Sequence, residues 1–282
     1  MDDNARYCET LVREADRDRY LATLFAPERD RAALHALHAF NIELSRVREL
    51  AREPMPGEIR LQWWREVLDG ERDGEARAHP VAAALLRART AHGLPRASLV
   101  AMVDARSFDL YDEPFETIED WQRYAEDTEG ALITCAAHVV GGPHAVPQEL
   151  AARAGCALAG WGVLRQLPVH LSRGQCFVPL EILGHFGANL EDGLGGRITP
   201  EWRAALAELR LRIRRDLDAA ATLVGAVAED AMPALLPCAP VRRALKPMER
   251  DSYDPLRPQD LPPWRRQWLI WRAARNPKRI FG

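Results

Sequence analysis

Apolar residues recur at spacings of three and four along most of the chain, and no stretch alternates apolar and polar residues over a convincing strand length. A period near 3.6 gathers such residues on one helix face, whereas a half-buried strand needs a period of two. Ala, Leu, Arg and Glu, all strong helix formers, dominate. The pattern predicts an all-α protein. The chain has 282 residues, 47% of them hydrophobic and 28% charged, enough to bury a large core. No linker, internal repeat or low-complexity tract divides it, so residues 1–282 read as one helical domain.

Punctuation residues place the helices. Pro27 and Glu28 open a helix over 27–50, and Pro54-Met55-Pro56-Gly57 breaks the chain after it. Residues 58–68 form a short helix carrying Trp63 and Trp64, and 69–74 a loop. Helices follow over 80–92 and 95–110. Thr117 reads as the N-cap of a segment running to Val140. A helix over 147–167 stops at Pro168, which lacks an N–H and clashes with the carbonyl four residues back. Residues 187–196 are a glycine-rich loop, and 200–229 read as the longest helix.

Several functions are excluded. A formal net charge of −3 offers no global field for a polyanion, so no nucleic-acid partner is expected. No apolar run approaches the roughly 18 residues a membrane helix needs. The N-terminal stretch, Asp2-Asp3-Asn4-Ala5-Arg6 after Met1, resembles neither a secretory signal nor an acid-poor transit peptide, which predicts a cytoplasmic chain. Cys8, Cys135, Cys156, Cys176 and Cys238 are widely spaced, with no C-x-x-C pair, and read as buried thiols in a reducing compartment. Lys occurs only at Lys246 and Lys278, and there is no G-K-[ST], so P-loop and Schiff-base chemistry fall away. His35-x-x-His38 has metal-ligand spacing on a helix but no third ligand, and reads as a structural pair. Asp16 and Asp18, mixed with Arg13, Arg17 and Arg19, read as a solvated face.

Four stretches carry a resemblance. They are Tyr20-Leu21-Ala22-Thr23-Leu24-Phe25-Ala26-Pro27 with Leu34-His35-Ala36-Leu37-His38-Ala39-Phe40; Ile59-Arg60-Leu61-Gln62-Trp63-Trp64 with His79-Pro80-Val81; the segment from Tyr124 to Gly130; and Val163-Leu164-Arg165 with Ser172-Arg173-Gly174-Gln175-Cys176-Phe177-Val178-Pro179. In this order and spacing, over about residues 7–250, the chain resembles the squalene/phytoene synthase family. The resemblance implies an isoprenoid synthase fold, a helical bundle around a central cavity. It also implies head-to-head joining of two prenyl diphosphates, with Mg²⁺ held by two Asp-rich segments on facing helices. Trp64 then occupies a core position. Trp63, about 100° away on the helix, lies nearer a boundary.

The Asp-rich segments are where the chain departs. Their places are taken by Ser45-Arg46-Val47-Arg48-Glu49 and by Gln166-Leu167-Pro168-Val169-His170, so only Glu49 keeps a carboxylate. Mg²⁺ is a hard ion that wants carboxylate and phosphate oxygens. Gln166 and His170 share a helix face without supplying charge, and Arg46 puts a cation where the metal would sit. Ser45, Arg46, Glu49, Gln166 and His170 are therefore degenerate catalytic positions, and no catalytic residue, metal or cofactor is expected. Ala39-Phe40-Asn41-Ile42-Glu43-Leu44 and Leu164-Arg165-x-x-Pro168-x-His170-x-Ser172-Arg173 resemble the branch of the family that includes assembly factors of respiratory complex I. That branch implies a non-catalytic factor with a complex I subunit or assembly intermediate as partner, at the inner membrane. Two alternatives stand beside it. One is a Mg²⁺-dependent prenyl transferase. The other is a metal-free binder of prenyl phosphate or anionic lipid, with Arg46, Arg48, Arg165 and Arg173 on the phosphate oxygens. Arg46, Arg165, Arg173 and Glu43 are the candidate ligand-binding residues.

The last 22 residues, from Leu261 on, contain no acid but carry Arg265, Arg266, Arg272, Arg275, Lys278 and Arg279. Trp264, Trp268 and Trp271 lie on one helix face. Pro262-Pro263 starts that helix and Asn276-Pro277 ends it. The tryptophans either pack on the domain, as such a stripe does in a core, or lie in a membrane surface.

Overall fold

The structure, a computed structural model, describes residues 2–51 and 53–282, and every regular element among them is helical. In chain order these are α1 (Asp3–Ala15), α2 (Arg17–Thr23), α3 (Glu28–Ser45), α4 (Val47–Leu50), α5 (Pro54–Asp69), α6 (Asp73–Ala78), α7 (Pro80–His92) and α8 (Arg96–Ala105). The second half holds α9 (Ile118–Ala125), α10 (Ala131–Gly141), α11 (Gln148–Ser172), α12 (Leu180–His185), α13 (Leu190–Leu194), α14 (Pro200–Leu223), α15 (Val241–Leu245) and α16 (Pro263–Arg275). Short 3₁₀ turns join several of them, and a π turn over Glu126–Gly130 joins α9 to α10.

Two helices are buried on nearly every side and set the architecture. Along α3 every residue from Ala33 to Ile42 is buried, and along α11 the buried set runs from Leu150 to Leu171. A helix apolar all round needs neighbours all round. Accordingly α3 packs on α1, α7 and α10, while α11 packs on α14, α10 and the π turn. Side-chain caps fix several starts: Thr117 Oγ1 accepts from Asp120 N at 3.1 Å, and Thr199 Oγ1 from Trp202 N at 3.3 Å. Trp64 is fully buried, edge-on to Phe40 at 4.9 Å, whereas half-buried Trp63 donates its indole N–H to Glu75 at 2.9 Å.

The structure departs from the expected boundaries in ways that matter for the cavity. The predicted 27–50 helix breaks at Arg46, which caps α3 and leads into the single turn of α4. Pro168 does not end α11, which continues to Ser172 and, at 25 residues, is longer than α14 at 24. A proline removes one hydrogen bond. Burial of Leu167 and Leu171 on either side of it holds the last turn on the core. The glycine-rich 187–196 stretch contains the short helix α13.

The C-terminal tryptophans do not pack inward. α16 buries Leu269, Ile270 and Ala273, while Trp264, Trp268 and Trp271 remain 69%, 45% and 40% exposed. Arg266 reaches inward to buried Asp18, and that ion pair fixes the helix rotation with the tryptophans outward.

Candidate functional site

The end of α3 and the last turns of α11 face each other across a cavity of about 310 Å³. Ser45, Arg46, Arg48 and Glu49 line one side, and Arg165, Gln166, His170 and Arg173 the other. Because α11 runs through Pro168, Gln166 and His170 both reach the cavity.

The inner wall is built from ion pairs. Asp16 sits at the junction of α1 and α2, where its carboxylate accepts from Arg19 N at 3.1 Å and caps α2. Arg19 then pairs through its guanidinium with Asp16 and with Glu129 of the π turn. The π turn reaches this point because it lies directly on the backbone of α11. A Cβ at Gly155 would stand 2.5 Å from Gly130 N, so only glycine permits that approach. Burial opposes ionisation of Asp16, yet Arg19's charge and hydrogen bonds hold its carboxyl below the ordinary value. Burial alone would lower Arg19, but the two carboxylates raise it, so the guanidinium is permanently charged. Buried His38 beside this network is pushed down to about 3, first by burial and then by Arg19, and is neutral.

A second network stands beside the first. Tyr124 donates its hydroxyl to Asp109 Oδ1 at 2.7 Å and accepts from Arg106 Nη1 at 2.9 Å. Arg106 also pairs with Asp109 Oδ2 at 3.0 Å, and Gln175 Nε2 donates to the Asp109 carbonyl at 3.0 Å. Burial raises the Tyr124 phenol well above its usual range, so it stays protonated as the donor. At a third point Asp18 takes two bonds from Arg266, which also binds Asp260. Arg165 and Arg266 both lie over the Trp161 ring, at 4.8 and 5.1 Å.

The rim is looser. Glu49 and Arg173, both about half exposed, meet at 3.3 Å, and Arg165 lies 3.8 Å from Asp260. Arg48 reaches Asp112 at 3.1 Å. Among the described residues Arg46 makes no side-chain hydrogen bond or ion pair. His170 packs against Phe177 with ring centroids 4.6 Å apart and planes tilted by 45°, and its buried Nδ1 has no hydrogen-bond partner among the described residues. Burial, with Arg173 nearby, pushes its pKa down to about 4 and keeps it neutral. In all, seven arginines and five carboxylates line the cavity.

The squalene/phytoene synthase family model matches residues 12–272, nearly the whole of this chain. The chain belongs to the squalene/phytoene synthase family. A dehydrosqualene synthase solved with a ligand superposes with a TM-score of 0.83 at 16% identity, covering 98% of this chain and 96% of that one. The human NADH dehydrogenase (ubiquinone) complex I, assembly factor 6, is 29% identical over 252 residues, 89% of this chain and 76% of that protein. The phytoene synthase of Thermus thermophilus is 28% identical over 164 residues, covering 57% of this chain and 56% of its own length.

The residues present do not fit the Mg²⁺ that the synthase family implies. Arg46, Gln166 and His170, which the family resemblance aligns with the Asp-rich segments, supply no carboxylate, and Glu49 is paired to Arg173. The other carboxylates of the cavity, Asp16, Asp18, Asp109 and Glu129, are each bound by an arginine. Among the described residues no group of three His, Cys, Asp or Glu side chains is disposed to hold a metal. That includes His35 and His38, which are buried in α3.

Of the residues singled out from sequence, Arg46, Arg165, Arg173, Ser45, Glu49, Gln166 and His170 all line the cavity. Glu43 does not. Its carboxylate turns toward His79, 3.5 Å away at the start of α7. Asp16 and Asp18 correct the solvated-face reading, since Asp18 is only 6% exposed and both carboxylates point into the protein. Arg19, Arg106, Asp109, Tyr124, Glu129 and Arg266 were not anticipated. The available signal was Asp16 itself, an N-cap residue that divides the predicted charged face into two helices.

Proposed function

We propose that this protein is a synthase-fold factor, without prenyl-transfer chemistry, that serves the assembly of respiratory complex I. We further propose that its cavity takes a phosphate-bearing anionic ligand, held by arginine rather than by metal. The observation that carries the reading is Arg46, a cation of the cavity lining without an ion-pair partner among the described residues, in the segment that the family resemblance aligns with the first Asp-rich segment. Guanidinium binds phosphate oxygens in bidentate geometry and needs no bridging metal. Arg173 and Arg165 extend the site, because their pairs with Glu49 and Asp260 are exposed and long, and such pairs are weak enough to exchange for a phosphate. The inner ion networks make the deeper wall polar, which suits a headgroup better than a prenyl chain. Ionising a prenyl diphosphate requires neutralising the leaving group, and the carboxylates that would hold the metal for that task are missing. The relatives named as complex I assembly factors, matched over about nine-tenths of this chain, support the assembly role. We propose for it a location in the cytoplasm, against the inner membrane; no helix among the described residues is long and apolar enough to cross a membrane.

Two measurements test this reading. Deleting the gene in its host should lower the amount of fully assembled complex I on native gels, with restoration by the intact gene; an unchanged complex overturns the assembly role. Thermal shift of the purified protein with farnesyl phosphate or inorganic diphosphate, in the presence of a chelator, should show stabilisation that Arg46→Ala removes. No stabilisation, or stabilisation that requires Mg²⁺, overturns the ligand assignment. A response to farnesyl phosphate but not to diphosphate assigns the site to a lipid.

A further inference from the structure

The outward face of α16 is unlike the rest of the surface. Trp264, Trp268 and Trp271 stand in line along it, all substantially exposed. Arg272 lies over the Trp268 ring at 4.3 Å, and Arg275 over the Trp271 ring at 4.0 Å. This is not a loose tail. Leu269, Ile270 and Ala273 are buried beneath it, and Arg266 ties it to Asp18. The following residues Ile280 and Phe281 are buried too, with Arg242 Nε donating to the Phe281 carbonyl at 2.8 Å. A helix fixed by one face, with its largest apolar rings turned to water, has that second face free for a partner.

The charge on this face defines the partner. From residue 261 to the end there is no acid, although the chain as a whole is formally −3. With Arg266 turned inward, Arg272 and Arg275 lie over two of the rings, and Arg265, Lys278 and Arg279 are exposed on the same helix and just after it. A second copy of the same face would bring like charges together. Tryptophan between arginines is instead the composition that suits the boundary of an anionic bilayer, with indole rings at headgroup depth and guanidinium groups on lipid phosphate. No helix among the described residues is long and apolar enough to cross a membrane. α16 would therefore lie along the surface.

We propose that α16 is a membrane-docking element whose tryptophan face seats in the headgroup layer of an anionic bilayer. The proposal does not depend on what the cavity binds. The test is cosedimentation of the full chain with vesicles of phosphatidylcholine alone and of phosphatidylcholine with phosphatidylglycerol, at low and high salt. The wild type should pellet with the anionic vesicles at low salt and be released by high salt. Trp264→Ser/Trp268→Ser/Trp271→Ser should lower partitioning at least about tenfold, because the apolar contribution is lost, with an unchanged melting temperature. Lys278→Glu/Arg279→Glu keeps the tryptophans and should lower partitioning by roughly fivefold per residue or more. Equal binding to both vesicle types, no binding, or full binding by both variants overturns the proposal. So does a dimer, seen by light scattering, that the tryptophan variant abolishes, because it assigns the face to a second copy.

Discussion

Replacing Arg19 by Met would leave Asp16 and Glu129 facing each other across the inner cavity without their shared cation. The Arg19 side chain is 13% exposed and those of its two partners 22% and 17%, so the charges left behind are largely cut off from water. Breaking a buried ion pair by removing one partner costs about 3–5 kcal/mol, because the other charge stays buried and uncompensated. For a chain of this size that is a fall in melting temperature of roughly 5–8 °C. Calorimetry and urea denaturation at neutral pH would measure it. The triple variant Arg19→Met/Asp16→Asn/Glu129→Gln removes every charge of the network while keeping its volume, and should regain most of the loss. A cost for Arg19→Met below about 1 kcal/mol, the range of exposed pairs, would mean that the network is solvated and carries no stranded charge. Failure of the triple variant to recover would mean that the loss comes from packing rather than from stranded charge.

Two further outcomes follow from the core and the cavity. Trp64→Ala should cost about 3–5 kcal/mol in equilibrium unfolding, as a fully buried aromatic against Phe40 does, and Trp64→Phe should cost less; a near-neutral Trp64→Ala would contradict its placement. His170 has an ordinary pKa of 6.5 when unfolded and about 4 when folded. The unfolded chain therefore binds the extra proton first, and the stability from keeping His170 neutral is lost as pH falls from 6.5 towards 4. The pH–stability curve of His170→Gln should be flatter than that of the wild type in this window, by up to about 1.4 kcal/mol per pH unit. Parallel curves would show that His170 is not buried neutral.

The helical fold was legible because its signal is local. The 3.6-residue pattern, the Thr117 cap and the prolines that open α7, α14 and α16 act within a turn or two of themselves, whereas Pro54 and Pro56, which read as a break, lie in the first turn of α5. The outer cavity was legible too. Arg46 was marked by the departure from the first Asp-rich segment and Arg165 by the family stretch just before the second, and the fold brings them to one space. Pro168 misled because a local rule was overridden by the burial of Leu167 and Leu171. The inner networks could not be read, since a run of Asp and Arg looks the same whether solvated or paired across the fold. Arg19 and Glu129 are 110 positions apart, and Asp18 and Arg266 are 248 apart. Nothing along the chain ties those partners together. The direction of the C-terminal tryptophans was open for the same reason, as the Asp18–Arg266 pair decides it.

In the function proposed here, arginine and neutral side chains stand in place of the metal-holding carboxylates of a prenyl synthase. Incubating the purified protein with farnesyl and geranylgeranyl diphosphate and Mg²⁺, and following the products by mass spectrometry, tests it most directly. The substrates should be recovered intact, with no squalene, phytoene or cyclopropyl intermediate of either. A Mg²⁺-dependent condensation product that disappears in Glu49→Ala would contradict it.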